Sequence, residues 1–143
     1  MSLSSARAPG MPWLTPYLVV KNAEAALDFY QRAFGFEKKF AMPGPDGRIR
    51  HAEVKHEEAV IMFGPENNTG ACDAQAPATT GISPPVGLYL YCSDVDALFA
   101  RATAAGARAT QPPHDEFWGD RICQVYDPDG HQWTFATFKG EAK

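Results

Sequence analysis

The sequence predicts an α+β fold built from two βαβββ modules. Three observations predict it. A strand, a helix and three further strands occur in that order twice, the copies share one offset, and each helix carries its own start signal. Asn22 and Asp94, which precede the two helical stretches, lie 94 − 22 = 72 residues apart, and Met62 and Thr134 in the two last strands are 134 − 62 = 72 apart. Two copies are too few for a solenoid. Two small sheets closing against each other are the natural way to bury both.

"LTPYLVV" (Leu14 to Val20) is β-branched and aromatic and bounded by Lys21 and Asn22, so it reads as a strand. Asn22 is a good N-cap for "AEAALDFYQRAF", in which Ala26, Leu27, Tyr30 and Phe34 recur at helical spacing, and Gly35 stops that helix. "GFEKKFAM", the turn "PGPDGR", "IRHAEVKH" and "EAVIMFG" follow as three strands and their hairpin. The second copy runs from "VGLYLYC" through the Asp94-capped helix "VDALFARATAAG", stopped at Gly106, to "ARATQPP", "RICQVYD" and "HQWTFATF". Residues 13–63 and 86–139 are thus the modules of one domain. Residues 1–12 read as a disordered leader, with Met11 a second candidate start, and 64–85 as a long linker rich in Gly, Pro, Thr and Asn. Linkers of that length inside a compact domain are usually functional lids or mobile connections.

A chain of 143 residues supports one domain with a real core. Charged residues make up 21% and the net charge is −4 without any Lys/Arg block, which argues against nucleic acid as a partner. No apolar run reaches the roughly 18–20 residues of a membrane span, and the start lacks a secretory h-region. Cys72, Cys92 and Cys123 are odd in number and share no CxxC spacing, so a reducing cytoplasm is expected. Cys92 and Cys123 sit in apolar strand patterns and read as small core residues, whereas Cys72 lies in the linker.

"VVKNAEAALDFYQRAFGF" early and "YDPDGHQWTFAT" late, on a paired βαβββ pattern, resemble the vicinal oxygen chelate superfamily of glyoxalases, bleomycin-resistance proteins and extradiol dioxygenases. "IRHAEV", "WGDR" and "DPDGHQW" look most like its PhnB-like branch. The resemblance covers nearly the whole chain from about Trp13 to Phe138. It implies the fold firmly and the reaction weakly, because one scaffold hosts many chemistries. In metal-using members the curved mixed sheet of the two modules surrounds a cup, and the ligands come from the first and last strands of each module, facing it. Matching "LVVKN" and "DPDGHQW" to the family implies that these positions are Thr15, Met62, Gly87 and Thr134. None is an imidazole, carboxylate or thiolate donor, so neither metal nor cofactor is expected there.

Strand alternation then sorts the other candidates. With Thr134 facing the cup, Gln132 and Ala136 do too, and His131, Trp133 and Phe135 face the helices. His131 therefore reads as a polar cap on a packed strand after an ordinary Asp-Pro-Asp-Gly turn. Tyr17, Tyr89 and Tyr91 share the cup face with Met62, while Trp118 sits in a loop where it can lean over the rim. Such rings offer stacking area with a polar tip, and their faces also suit a cationic ligand, with Glu53, Glu116 and Asp120 adding negative potential. The alternative for the tyrosines is half-buried sheet residues enriched by β-propensity alone, and Asp120 and Arg121 can instead pair to fix the loop. His51 and Glu53, two apart on one face, are the catalytic candidates. They form either a base and its partner, with a divalent metal as the alternative cofactor, or the solvated polar face of an edge strand, which is favoured. His56 and His114 read as loop residues without partners.

The expected function is metal-independent capture of a small apolar or aromatic molecule such as an antibiotic, with Thr15, Tyr17, Met62, Gly87, Tyr89, Tyr91, Trp118 and Thr134 lining the site. The alternative is a glyoxalase-type lyase, isomerase or dioxygenase working through His51 and Glu53. Sheet edges and apolar surface left by paired modules make a homodimer the expected assembly.

Overall fold

The computed structural model describes residues 6–68 and 73–140; Cys72 and the first five residues of the expected leader lie outside the described residues. The elements in order are β1 (Tyr17–Val20), α1 (Ala23–Phe34), β2 (Glu37–Pro43), β3 (Ile49–His56), β4 (Ala59–Pro65), α2 (Pro77–Thr80), β5 (Gly87–Tyr91), α3 (Val95–Ala104), β6 (Arg108–Asp115), β7 (Asp120–Tyr126) and β8 (Gln132–Phe138). Contacts divide them into two units. The first holds the residues up to Gln31 and Gly35–Gln75, and the second holds Arg32–Phe34 and the residues from Ala76 onward.

In the first unit the sheet runs β1-β4-β3-β2, with β1 parallel to β4 and the other pairs antiparallel. Alternation along the strands buries Leu18, Val20, Ala52, Val54, Ile61 and Phe63 on one face. Helix α1 packs there: the Tyr30 ring meets Phe63 edge-on, 5.3 Å between centroids. The helix starts where the Asn22 side chain accepts from the Ala25 N–H at 2.8 Å. It stops at Gly35, whose φ of 73° few other residues adopt without strain.

The second unit repeats the plan as β5-β8-β7-β6, again with one parallel pair. Trp133 and Phe135 stack 5.8 Å apart on its buried face beside Cys123 and Val125. Asp94 caps α3 by accepting from the Ala97 N–H at 3.1 Å. The repeat extends to register: Tyr17 stands opposite Met62 and Tyr89 opposite Thr134, each pair shifted by 72 residues.

Four expectations need correcting. The first strand begins at Tyr17, not Leu14: Pro16 has no N–H to give, and Leu14 is exposed. The sixth strand continues to Asp115 despite Pro112 and Pro113, because β6 is an edge strand and its register slips on both sides of Gln111. The stretch read as a linker contains the end of β4 and the single turn α2, whose Ala78 N–H donates to the Asp129 carbonyl at 2.9 Å. Most consequential for the site, β3 lies between β2 and β4 rather than at an edge.

Candidate functional site

An interior strand cannot solvate both of its faces, and this changes the reading of His51 and Glu53. Glu53 is only 5% exposed, opposite Met62 on one side and Phe40 on the other. One carboxylate oxygen meets His51 Nε2 at 2.8 Å and the other meets Lys39 Nζ at 3.4 Å. The solvated-edge reading of this pair is therefore wrong. A carboxylate buried to this degree needs partners, and an imidazole and an ammonium provide them.

His51 lies between aromatic rings, its centroid 5.6 Å from those of both Tyr17 and Phe40. These three line a concavity of about 730 Å³ with Met42, Pro45, Arg50 and Asn68. Its mouth is tied by side chains: Asn68 Nδ2 donates to the Arg50 carbonyl at 2.9 Å, and Arg50 reaches Asn68 Oδ1 at 3.4 Å and the Asp46 carboxylate at 3.7 Å. Of the expected residues, Tyr17 lines the hollow, and Met62 stands beside Tyr17 and Glu53 in the sheet register. Thr15 precedes β1 and is half-buried. Phe40, Met42, Pro45, Arg50 and Asn68 were not foreseen. The β-bulge between Lys38 and Phe40 shifts the pairing of β2, so counting by twos along "EKKFAMP" does not tell which side chains face His51.

The second unit builds a different site on the corresponding face. Tyr89 and Tyr91 project from β5, their rings 5.7 Å apart, and are about half exposed at 47% and 53%. Both hydroxyls donate to Asp120 Oδ2, at 2.5 Å from Tyr89 and 2.8 Å from Tyr91. The indole N–H of Trp118 reaches the same oxygen at 3.1 Å. Asp120 itself is only 2% exposed. These hydrogen bonds, Tyr89's foremost, hold its carboxyl below the ordinary aspartate range against the effect of burial. In turn, burial and the Asp120 carboxylate push the Tyr89 phenol up to about 12.

Trp118 is placed by the β6–β7 hairpin. Its neighbour Gly119 has φ 101°, and a Cβ there would lie 2.2 Å from the Gly140 carbonyl, so only glycine fits. Arg121 does not pair with Asp120, as one expectation had it. Its guanidinium is held by Asp96, at 2.9 and 3.0 Å, and by Asp115 at 3.2 Å. Thr134 lies opposite Tyr89 and Gly87 begins β5 opposite Gln132. Among the predicted residues, then, the structure brings Tyr89, Tyr91 and Trp118 together, and Asp120, expected to lend negative potential, is the acceptor they share.

The remaining histidines have structural settings. His131 lies just before β8, and its N–H donates at 3.0 Å to Asp127 Oδ1. The buried Asp127 carboxylate also accepts from the Asp129 N–H at 3.0 Å and from Trp133 Nε1 at 2.9 Å. The turn is thus organised by its first aspartate, a role the sequence reading missed. His56 and His114 are strand residues rather than loop residues, and neither is partnerless. The His56 ring lies 5.9 Å from Phe36, and His114 meets the Glu116 carboxylate and the Pro112 carbonyl, each at 2.8 Å. The Pro112 carbonyl and then Glu116 raise the His114 pKa. Cys123 is fully buried, which pushes its thiol up to about 11, and Cys92 is half-buried.

The four positions at which the family resemblance leads one to expect metal ligands, Thr15, Met62, Gly87 and Thr134, offer two hydroxyls, a thioether and a glycine, a poor donor set for a divalent ion. Among the described residues, no three His, Cys, Asp or Glu side chains are grouped to hold a metal. These four residues do not fit a chelated divalent ion.

Comparison with known proteins agrees with the fold. An uncharacterized protein of Mycobacterium tuberculosis strain H37Rv is 38% identical over 124 residues, 86% of this chain and 72% of that protein. The crystal structure of TioX from Micromonospora sp. ML1 matches with a TM-score of 0.68 at 32% identity, covering 87% of this chain and 97% of that one. TnmS3, an antibiotic binding protein from Streptomyces sp. CB03234, matches at 0.61 and 25% identity, covering 87% and 93%. Residues 10–135 match the model of one family, and the chain belongs to the Glyoxalase/Bleomycin resistance protein/Dioxygenase superfamily.

Proposed function

We propose that the chain captures a small, largely apolar or aromatic molecule without a metal, an antibiotic being the class that TnmS3 suggests. The observation that carries this reading is the hollow of the first unit. Its volume of about 730 Å³ falls within the range of small-molecule sites, roughly 300–1,000 Å³. Tyr17, Phe40, Met42 and Pro45 supply apolar contact, and Arg50, His51 and Asn68 supply the few polar groups that orient a guest. The departures at Thr15, Met62, Gly87 and Thr134 support independence from metal. Further parts of the proposal are placement in the PhnB-like branch, a homodimer, and a reducing cytoplasm in keeping with the free Cys92 and Cys123.

Calorimetric titration with a panel of planar aromatic drugs tests the capture. We expect saturable binding that weakens about tenfold in Phe40→Ala, the loss of one aromatic anchor. No heat from any member of the panel would count against it.

A second reading is favoured by the 2.8 Å contact between His51 and Glu53 on the wall of the same hollow. A base held by a buried carboxylate is the arrangement of a general acid–base pair, and it would serve a lyase, isomerase or dioxygenase. Elemental analysis of protein purified without chelator decides between the two. A stoichiometric divalent ion that disappears in His51→Ala or Glu53→Ala would replace the binder with a metalloenzyme.

A further inference from the structure

We propose that the second unit carries a site for an organic cation whose charge is alkylated or delocalised, such as a quaternary ammonium or an N-alkylated flat heteroaromatic ring. The guest sits on the exposed faces of Tyr89, Tyr91 and Trp118, with the Asp120 carboxylate behind them. The proposal rests on the capture reading, extends it to these three side chains of the second unit and commits their guest to a positive charge.

The argument begins with an imbalance of charge. Asp120 is almost wholly buried, and a buried carboxylate is costly unless it is hydrogen-bonded and compensated. Its three partners are all neutral donors, so they stabilise the anion without cancelling it. Among the described residues no Lys, Arg or His pairs with Asp120; the adjacent Arg121 is held by Asp96 and Asp115. The cluster therefore keeps one negative charge behind rings that are between 41% and 53% exposed.

The same hydrogen bonds make those rings better cation acceptors. A phenol or indole that donates its proton to a carboxylate is polarised towards the phenolate or indolide, which enriches the π-face that attracts a cation. Phe117, mostly exposed and standing edge-on to Trp118 at 5.0 Å, extends the aromatic surface. The chemistry of the guest follows. Asp120 is a single carboxylate with Oδ2 already taken by three donors, so a hydrated metal ion, which needs several free oxygens, gains little. A cation without strong donors of its own loses nothing by lying against ring faces.

The test is titration of the full-length chain with N-methylquinolinium and with quinoline, its neutral counterpart at mildly alkaline pH. We expect the cation to bind about tenfold more tightly. Asp120→Asn keeps an acceptor oxygen but removes the charge, and should bring the ratio close to one. Tyr91→Phe keeps the ring, cuts its link to the carboxylate and should give an intermediate ratio. It also serves as the readout if the Asp120 variant does not fold. Equal affinities in the native protein, or a ratio unchanged in the variants, overturns the proposal. Quinoline binding without preference, or neither probe binding in protein that still takes up the planar drugs, sinks this proposal and leaves the capture reading standing; loss of both responses sinks both. A native dimer that binds neither probe, but falls to monomer in Trp118→Ala, would show a second copy covering the rings and would equally overturn it.

Discussion

Each unit hides one carboxylate on the corresponding face of its sheet, and the two are satisfied by opposite means. Glu53 in the first unit has ionisable partners, His51 and Lys39. Asp120 in the second unit has Tyr89, Tyr91 and Trp118, which are neutral at ordinary pH. A shared scaffold thus carries a carboxylate among ionisable side chains in one copy and an aromatic cluster around a carboxylate in the other. The difference arises from where along the equivalent interior strand, β3 or β7, the carboxylate stands. Glu53 is mid-strand on β3, flanked by β2 and β4, whereas Asp120 opens β7 next to the hairpin that carries Trp118. Two copies of one fold therefore need not share one chemistry.

The comparison is sharpest when corresponding residues are changed in both units. Phe63 and Phe135 are 135 − 63 = 72 residues apart and both are fully buried. Phe63→Ala and Phe135→Ala should each cost about 3–5 kcal/mol by denaturant unfolding. A loss under about 1 kcal/mol at either position would break the equivalence of the two cores.

The buried carboxylates should respond less, and unequally. Asp120→Ala removes the acceptor of three donors and should cost about 2 kcal/mol, because the half-exposed rings recover part of the loss by turning to water. Its pH dependence has a definite sign. A carboxyl held below its ordinary value in the folded chain contributes stability above that value and loses it as pH falls through the depressed one. The stability gap between native protein and Asp120→Asn should therefore narrow on acidification below the ordinary aspartate range. A gap that widens there contradicts the assignment. For His114, raised in the folded chain by the Pro112 carbonyl and Glu116, the sign is reversed. Its contribution is complete below the ordinary histidine value and is lost as pH rises through the raised one, so the gap to His114→Ala should shrink towards alkaline pH.

The helix caps come next. Asn22→Ala and Asp94→Ala should each lower stability by about 1 kcal/mol. Asp94 should lose a few tenths more, because its charge also faces the helix dipole, and added salt should remove that excess. The smallest effect is expected for Glu53→Gln, which retains an acceptor for His51 and releases Lys39, already 30% exposed, to solvent. A change under about 1 kcal/mol is anticipated, because a neutral amide is cheaper to bury than a carboxylate and this offsets the lost ion pair; a larger one would show that the first unit depends on its ion pair as the second does on its shared acceptor.

Much of this architecture was legible in the chain. The repeated order of elements, both caps and the 72-residue offset are local signals. Alternation correctly separated the buried Trp133 and Phe135 from Thr134, and Ala52 and Val54 from His51. Phe40 and Met42 escaped because a bulge destroys the count by twos. The partners of Asp120 escaped because Tyr89 and Tyr91 are 31 and 29 residues away in sequence, and no local pattern links them.

The sequence by itself determined the two modules, their helices and their core faces, since each follows from residue type and short-range spacing. Only the tertiary structure decided strand order, and with it that β3 is interior, that Glu53 is buried against His51 and Lys39, and that Asp120 gathers three rings. Side-chain direction is written locally by the backbone period. Which side chains then meet depends on register between strands far apart in the chain, and that is set only when the sheet closes its hydrogen bonds.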